Sequence, residues 1–290
     1  MIANLNEGGS EGYFVEAGDT QIFVTEFGEG FPVIMLHGGG PGASGMSNYS
    51  KNVEALAQKY RVIVPDMPGY GQSTKNWKRK DPFGELAVGI LAMMDAMDIP
   101  KAHMIGNSLG GACALRMALE KPDRVASMIL MGPGGINTTR CLPTKGLNAL
   151  LNYYKGDGPS FEKMSYFIRN YLVYDDSMVT DDLIRTRYDA TLDPEIVKQG
   201  AQLSRPKSLG TAMKMDLTRD KRLKDCETPT LILWGIEDLV NRPSGGETLQ
   251  KIMPNCDLFL YSKVGHWIQW ERADEFNGTA LTFMSANDPS

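Results

Sequence analysis

Histidine is the scarcest chemically useful residue in this chain, which has only His37, His103 and His266 among its 290 residues. A reaction that needs an imidazole base has three candidates, and a histidine-rich metal centre has almost no material. Cysteine is hardly more abundant. Cys113, Cys141, Cys226 and Cys256 lie far apart with no C-x-x-C pair, which argues against a zinc site or a disulfide framework and makes reduced thiols the expectation. Positive charge is not in excess either. A formal net charge of -5 gives no reason to expect nucleic acid or an anionic membrane as partner. No apolar run approaches the length of a membrane span, and residues 1–10 are polar and glycine-rich with no apolar signal segment, so a cytoplasmic protein is expected. Internal repeats and low-complexity tracts are missing as well.

What is present is a large supply of core-forming residues, 42% of the chain, enough for one elaborated domain. Strand-like runs occur at 13–16, 21–26, 32–36, 61–64, 102–105, 126–131, 230–234 and 258–261, and helical patterns at 52–59, 85–97 and 109–120. This alternation predicts an α/β fold with a mostly parallel eight-stranded sheet flanked by helices, its first two strands forming an antiparallel edge. The rhythm breaks between Met131 and Pro229, where helical patterns at 161–172 and 180–190 appear without a clear strand. A helical cap over 135–225, inserted into a core made of 1–134 and 226–290, is the expected organisation.

The most informative stretch is Gly106-Asn107-Ser108-Leu109-Gly110, because a strand-like run enters it and a helical run leaves it. A bare G-x-S-x-G match would arise by chance in roughly one chain in five or six of this composition, so the strand and helix on either side carry the inference. Together they describe a nucleophile elbow, which lifts a serine hydroxyl to the top of a sheet. A base is then sought among the three histidines. His103 lies within the strand leading to the elbow and reads as a core histidine, whereas His37 opens the run Gly38-Gly39-Gly40-Pro41-Gly42 and reads as shaping that loop. His266 follows the last strand-like run on a short loop, where catalytic groups are usually carried. The run 230–235 ends in Ile236-Glu237-Asp238, which places a carboxylate past another strand. Ser108, Asp238 and His266 then follow the serine, acid, histidine order of the α/β-hydrolases, with His266 expected within reach of both partners. Glu237 is the adjacent rival for the acid. Asp66 also follows a strand, but 65–71 reads as a structural turn.

Taken together, His37-Gly38-Gly39-Gly40-Pro41-Gly42-Ala43, Ser47-Asn48-Tyr49, Asp66-Met67-Pro68-Gly69-Tyr70-Gly71, the elbow, Met131-Gly132-Pro133-Gly134-Gly135 and Gly265-His266-Trp267-Ile268-Gln269-Trp270 span most of the chain. In these segments it resembles the meta-cleavage-product hydrolases of bacterial aromatic and steroid degradation, a carbon-carbon bond hydrolase branch of the α/β-hydrolase fold. It departs from many members after Asp238, where Leu239-Val240-Asn241-Arg242 replaces an arginine and a bulky aromatic. The resemblance implies a 2-hydroxy-6-oxo-hexa-2,4-dienoate substrate, no cofactor, no metal and a homo-oligomer. It further implies an oxyanion hole from the backbone N–H groups of Gly39 and Leu109, and a polar substrate end held by Gly38, Asn48, Asn107, Trp267 and the cap arginine Arg187. Rival readings exist for several of these. Arg187 sits among Asp181, Asp182, Arg185 and Asp189 and could belong to a solvated, ion-paired helix face; Asn48 and Asn107 could simply stabilise turns. Met164, Met213 and Met215 suit adaptable packing or an apolar pocket. A carboxylesterase with the same triad, and a non-catalytic small-molecule receptor on this fold, are the alternative functions.

Overall fold

The strand-like runs become β1 (Tyr13–Ala17), β2 (Thr20–Phe27), β3 (Pro32–Leu36), β4 (Arg61–Pro65), β5 (Ala102–Asn107), β6 (Val125–Met131), β7 (Thr230–Gly235) and β8 (Cys256–Tyr261). The computed structural model describes residues 12–75, 81–199 and 205–289; the amino-terminal stretch read above for a signal segment lies outside them. The strands form one sheet in the order β1-β2-β4-β3-β5-β6-β7-β8. β2 pairs antiparallel with both β1 and β4, and every later pairing is parallel. Strands buried on both faces need apolar residues at successive positions. β3, β5 and β7 have them, and this continuity is why they stand out in the sequence.

Successive side chains point to opposite faces, so each strand feeds two cores. Ile34, Leu36 and Met104 face one, and Val33, Met35 and Ile105 the other. The helices, in chain order, are α1 (Gly45–Tyr49), α2 (Val53–Ala57), α3 (Pro82–Ala96), α4 (Leu109–Glu120), α5 (Lys145–Asn152), α6 (Phe161–Phe167), α7 (Asp181–Ala190), α8 (Pro194–Gln199), α9 (Leu209–Met215), α10 (Ser244–Ile252), α11 (Ile268–Glu271) and α12 (Ala273–Ala286). Leu86 and Ile90 of α3, Leu115 of α4 and Leu249 of α10 fill the first core, while Tyr49, Val53, Leu56, Phe276 and Met284 fill the second. Each fully buried large apolar side chain contributes about 1.5–3 kcal/mol. α3 begins three residues before its apolar periodicity does, because the Asp81 carboxylate accepts the Gly84 N–H at 3.2 Å and Pro82 occupies the first turn.

α5 to α9 all lie between β6 and β7. Their own apolar cluster, including Leu150, Met164, Phe167, Ile168, Leu172 and Ile184, is completed by Val240, Trp267 and Trp270 from beyond the carboxyl ends of β7 and β8. This inserted layer therefore packs where open α/β sheets bind ligands. The pattern at 161–172 is not one uniform helix: α6 passes into a π-turn over Ile168–Leu172, closed by Val173 N–H to Ile168 O at 3.3 Å. The wider turn leaves the Leu172 carbonyl to a partner outside the helix.

α4 approaches β3 so closely that a Cβ at Gly110 would sit 2.0 Å from the Leu36 carbonyl oxygen. Backbone on both sides leaves no flexible atom to yield. Gly110→Ala is expected to destabilise the fold by about 3 kcal/mol or more, at the upper end of overpacking costs. The midpoint of urea unfolding measures this, and an unchanged midpoint would contradict the packing described.

Candidate active site

Between β5 and α4 the chain turns at Ser108, whose φ of 52° and ψ of -108° are strained for a residue with a β-carbon. The surroundings enforce the turn. Ser108 N–H donates to Met131 O at 2.8 Å, and Ser108 O accepts from Gly134 N–H at 2.8 Å and Ala112 N–H at 3.0 Å. The hydroxyl is thereby fixed beyond the strand ends, in a conformation that costs about 1–3 kcal/mol.

His266 arrives on the loop after β8, and its Nδ1 lies 2.7 Å from Asp238 Oδ2. Asp238 is held on both oxygens: Oδ1 accepts the Val240 and Asn241 N–H groups at 2.8 and 2.9 Å, and Oδ2 accepts Trp234 Nε1–H at 3.0 Å. Glu237 turns away to accept the Val264 N–H, which settles which of the two adjacent acids faces the imidazole. Ser108 and His266 line the same small cavity, but no hydrogen bond joins them. The His266–Asp238 half of the expected relay is formed and the Ser108–His266 half is open.

Gly38, Gly39, Asn48, Asn107, Arg187 and Trp267 line that same cavity. Among the described residues, neither the Gly39 nor the Leu109 N–H donates to another protein group. Asn107 donates from Nδ2 to Met131 O and His266 O, while its Oδ1 is buried without a partner; both polar side-chain atoms of Asn48 are in the same position. Buried polar groups are almost always bonded, so these atoms mark a place for a polar guest or water. Neither asparagine side chain is engaged in stabilising its own turn.

Arg187 is not on a solvated helix face. It points from α7 into the molecule and is 2% exposed. Nε and Nη2 donate to Pro41 O at 3.1 and 3.0 Å, Nη1 donates to Ser47 Oγ at 3.4 Å, and the guanidinium lies 5.1 Å from the Trp267 ring centroid. Among the described residues no carboxylate pairs with it. Burial lowers its pKa to about 10, partly opposed by Tyr154 and Tyr153. A cation buried without a counter-ion is costly, and an anion supplied from outside would relieve that cost.

The other expected roles fall elsewhere. His37 donates from Nδ1 to Gly38 O at 2.8 Å and accepts Met67 N–H on Nε2 at 2.9 Å; burial pushes its pKa down to about 4, so it braces the glycine loop as a neutral ring. His103 bonds Ser127 Oγ and Asp288, away from this cavity. Asp66 accepts the Gly45 and Gln72 N–H groups, as a structural turn requires. Met164 is buried in the apolar cluster of the insertion, Met213 is partly exposed, and Met215 lines a second, larger pocket that opens from Ser108 and Leu109. No group of three or more His, Cys, Asp or Glu among the described residues is arranged to hold a metal.

Three supporting residues escape a reading of the sequence. Trp234 and Asn241 fix Asp238 and its loop, Asn241 also donating from Nδ2 to Gly132 O at 2.8 Å. Glu271 accepts Gly265 N–H at 2.8 Å and Tyr174 N–H at 2.7 Å, joining the histidine loop to the insertion. Burial raises the Glu271 pKa against the opposing pull of these amides. Beside it, His266 N–H donates to Leu172 O at 2.8 Å, the carbonyl left over by the π-turn. A Cβ at Gly265 would meet the Val173 carbonyl carbon at 2.8 Å, so only glycine permits this approach.

Residues 32–273 match the α/β-hydrolase fold family. The chain is 38% identical over 272 residues to a 2-hydroxy-6-oxo-6-phenylhexa-2,4-dienoate hydrolase of Burkholderia cepacia, covering 91% of each chain. It is 36% identical, again over 91% of each, to a 2-hydroxy-6-oxononadienedioate/2-hydroxy-6-oxononatrienedioate hydrolase of Comamonas testosteroni. Among solved structures, the meta-cleavage product hydrolase of Pseudomonas fluorescens IP01 superposes with a TM-score of 0.84 at 33% identity, covering 97% of this chain and 99% of that one.

Proposed function

We infer that this chain, which belongs to the meta-cleavage product hydrolase family of the α/β-hydrolase superfamily, cleaves its substrate with Ser108, His266 and Asp238. It is a carbon-carbon bond hydrolase of meta-cleavage products from aromatic degradation. The finer reading is that the substrate is a 2-hydroxy-6-oxo-hexa-2,4-dienoate, cut between C5 and C6 to give a 2-hydroxypenta-2,4-dienoate and a carboxylic acid. The observation that carries it is Arg187, a buried cation without a carboxylate partner on the same cavity as Ser108 and His266.

In this reading the substrate's 1-carboxylate is the missing anion, and the planar guanidinium also reaches the adjacent 2-oxygen. Asn48, Asn107, Gly38 and Trp267 complete the polar end. Ketonisation moves a proton to C5 and leaves a 2,6-dioxo form whose C5–C6 bond can break. His266 then removes a proton from the attacking oxygen, and Asp238 stabilises the imidazolium that results. The attacking oxygen is that of Ser108, giving an acyl-enzyme, or of a water activated at the same place, giving a gem-diol. Both routes put negative charge on the C6 oxygen. The Gly39 and Leu109 amides supply its donors, and each such donor contributes about 3–4 kcal/mol. When C5–C6 breaks, its electron pair spreads through C4 and C3 to the 2-oxo oxygen beside Arg187. Water supplies the hydroxyl that ends on C6. Residues 135–225 act as the cap that closes this site, over a core of 1–134 and 226–290.

A panel of coloured ring-fission dienoates differing at C6, followed by loss of visible absorbance, tests the assignment. At least one should exceed a simple aryl ester by about 100-fold or more in kcat/KM, a margin that binding of the carboxylate end can supply. Faster turnover of the ester would favour a carboxylesterase, and turnover of neither would favour a receptor.

A further inference from the structure

Glu271 ends α11, five residues after His266, and does not itself line the catalytic cavity. Its carboxylate is partly buried and divides its two oxygens between two parts of the chain. Oε1 accepts Gly265 N–H at 2.8 Å, from the residue before the base. Oε2 accepts Tyr174 N–H at 2.7 Å and Asp175 N–H at 3.4 Å, both from the inserted layer. No basic side chain pairs with it among the described residues, and the adjacent Arg272 reaches Glu275 at 3.5 Å instead. A carboxylate drawn out of water without a cation is costly, and the backbone amides of two separate segments are what it gains in return.

The same two segments meet again beside it. His266 N–H donates to Leu172 O at 2.8 Å, and both Leu172 and His266 line the catalytic cavity. The stretch 172–175 is thus bonded to the histidine loop twice, at Gly265 through Glu271 and at His266 directly. Attachments on consecutive residues fix the direction of a loop as well as its position, so the imidazole and Leu172 shift together or not at all. Such a constraint matters where the Ser108–His266 half of the relay stands open, because a misplacement of about 1 Å can cost a reaction 100-fold.

We propose that Glu271 is a positioning residue that couples the seating of 172–175 over the cavity to the alignment of His266, so that a substrate in contact with Leu172 bears on the imidazole as well. Only a carboxylate suits this place. Both of its oxygens accept, whereas an amide side chain would turn an NH2 group toward one of the two sets of N–H donors. The proposal rests on His266 as the base of the dienoate reading and adds what keeps that base in register with the insertion.

Two substitutions open the clamp from opposite sides. Glu271→Gln spoils one set of its bonds, and Tyr174→Pro removes the donor on the insertion; Val173, with φ of -117° and ψ of 156°, already has the conformation that precedes a proline. Each should lower kcat about 30-fold, on a dienoate and on a simple aryl ester alike because both need His266, and the double variant should be little worse than either. Binding should be spared. Dienoate affinity, read from the chromophore in a Ser108→Ala background, should stay within about twofold when Glu271→Gln is added. A wild-type kcat in Glu271→Gln, or a loss that falls on affinity or on the urea midpoint with kcat unchanged, would overturn the proposal. So would a wild-type kcat in Tyr174→Pro beside a slow Glu271→Gln, which would confine Glu271 to its own loop. Should Tyr174→Pro not fold, the split between kcat and affinity in Glu271→Gln decides alone. Undiminished turnover by His266→Ala would instead overturn the base assignment beneath.

Discussion

Ser108→Ala and His266→Ala should each lower kcat on a good dienoate by about 1000-fold or more, with circular dichroism and melting temperature little changed. The reason is chemical. Alanine at 108 removes the oxygen at the tip of the elbow, and alanine at 266 removes the only imidazole that reaches both the cavity and Asp238. Groups acting as a unit are not additive, so the double variant should be little worse than either single one. Asp238→Asn should approach the same loss. An asparagine keeps the shape but offers His266 Nδ1 an uncertain partner, and its neutral amide cannot stabilise an imidazolium as a carboxylate does. Pre-steady-state loss of the dienoate chromophore measures the effect directly. A Ser108→Ala enzyme with near wild-type kcat would remove Ser108 from the chemistry.

Arg187 carries the second large expected effect. Truncating one member of a buried, hydrogen-bonded charge pair typically costs 2–5 kcal/mol, so Arg187→Ala should lose about 3–4 kcal/mol, or roughly 150- to 900-fold in kcat/KM on a dienoate. Part of that loss must fall on kcat, because negative charge gathers on the 2-oxo oxygen as C5–C6 breaks. Lysine should rescue poorly. It restores a charge, but the guanidinium divides its donors between the Pro41 carbonyl and the cavity, and an ammonium cannot reproduce that fork. A simple aryl ester has no carboxylate for Arg187 to hold and needs no ketonisation, so its hydrolysis should change much less. Equal losses on both substrates would mean that the substitution disturbs the glycine loop through Pro41 and has no specific hold on the dienoate.

The central strands β3 to β7 could be read in the sequence because a sheet covered on both sides leaves apolar runs there, and the elbow because its G-x-S-x-G stands between such a run and a helical one. The environment of Arg187 could not be read in the same way. Its acidic neighbours in sequence suggest a solvated surface, but α7 turns Ile184 and Arg187 inward together and leaves Asp181, Asp182 and Asp189 outside. A three-residue spacing carries that information only once the buried face is known. The choice of Asp238 over Glu237 depended on loop geometry, since both acids follow β7. Glu271 leaves no trace in the sequence at all. Its partners are backbone amides, one on the nearby histidine loop and two on the distant insertion, and any residue type can supply an amide.

The seam between the histidine loop and the insertion has a consequence for chimeras. Exchanging the whole of 135–225 with a homologue, the obvious way to transfer substrate range, would also exchange the Leu172 carbonyl and the Tyr174 amide that hold the loop bearing His266. A recipient could then gain a well-shaped pocket and lose the alignment of its general base. α5 and α9 offer a cleaner graft. Leu147, Leu151, Ala212 and Met215 line the larger pocket beside Ser108 and Leu109 from these two helices, while the seam is made by 172–175. Transplants confined to them, with the π-turn kept native, would move specificity and leave the proton relay in place.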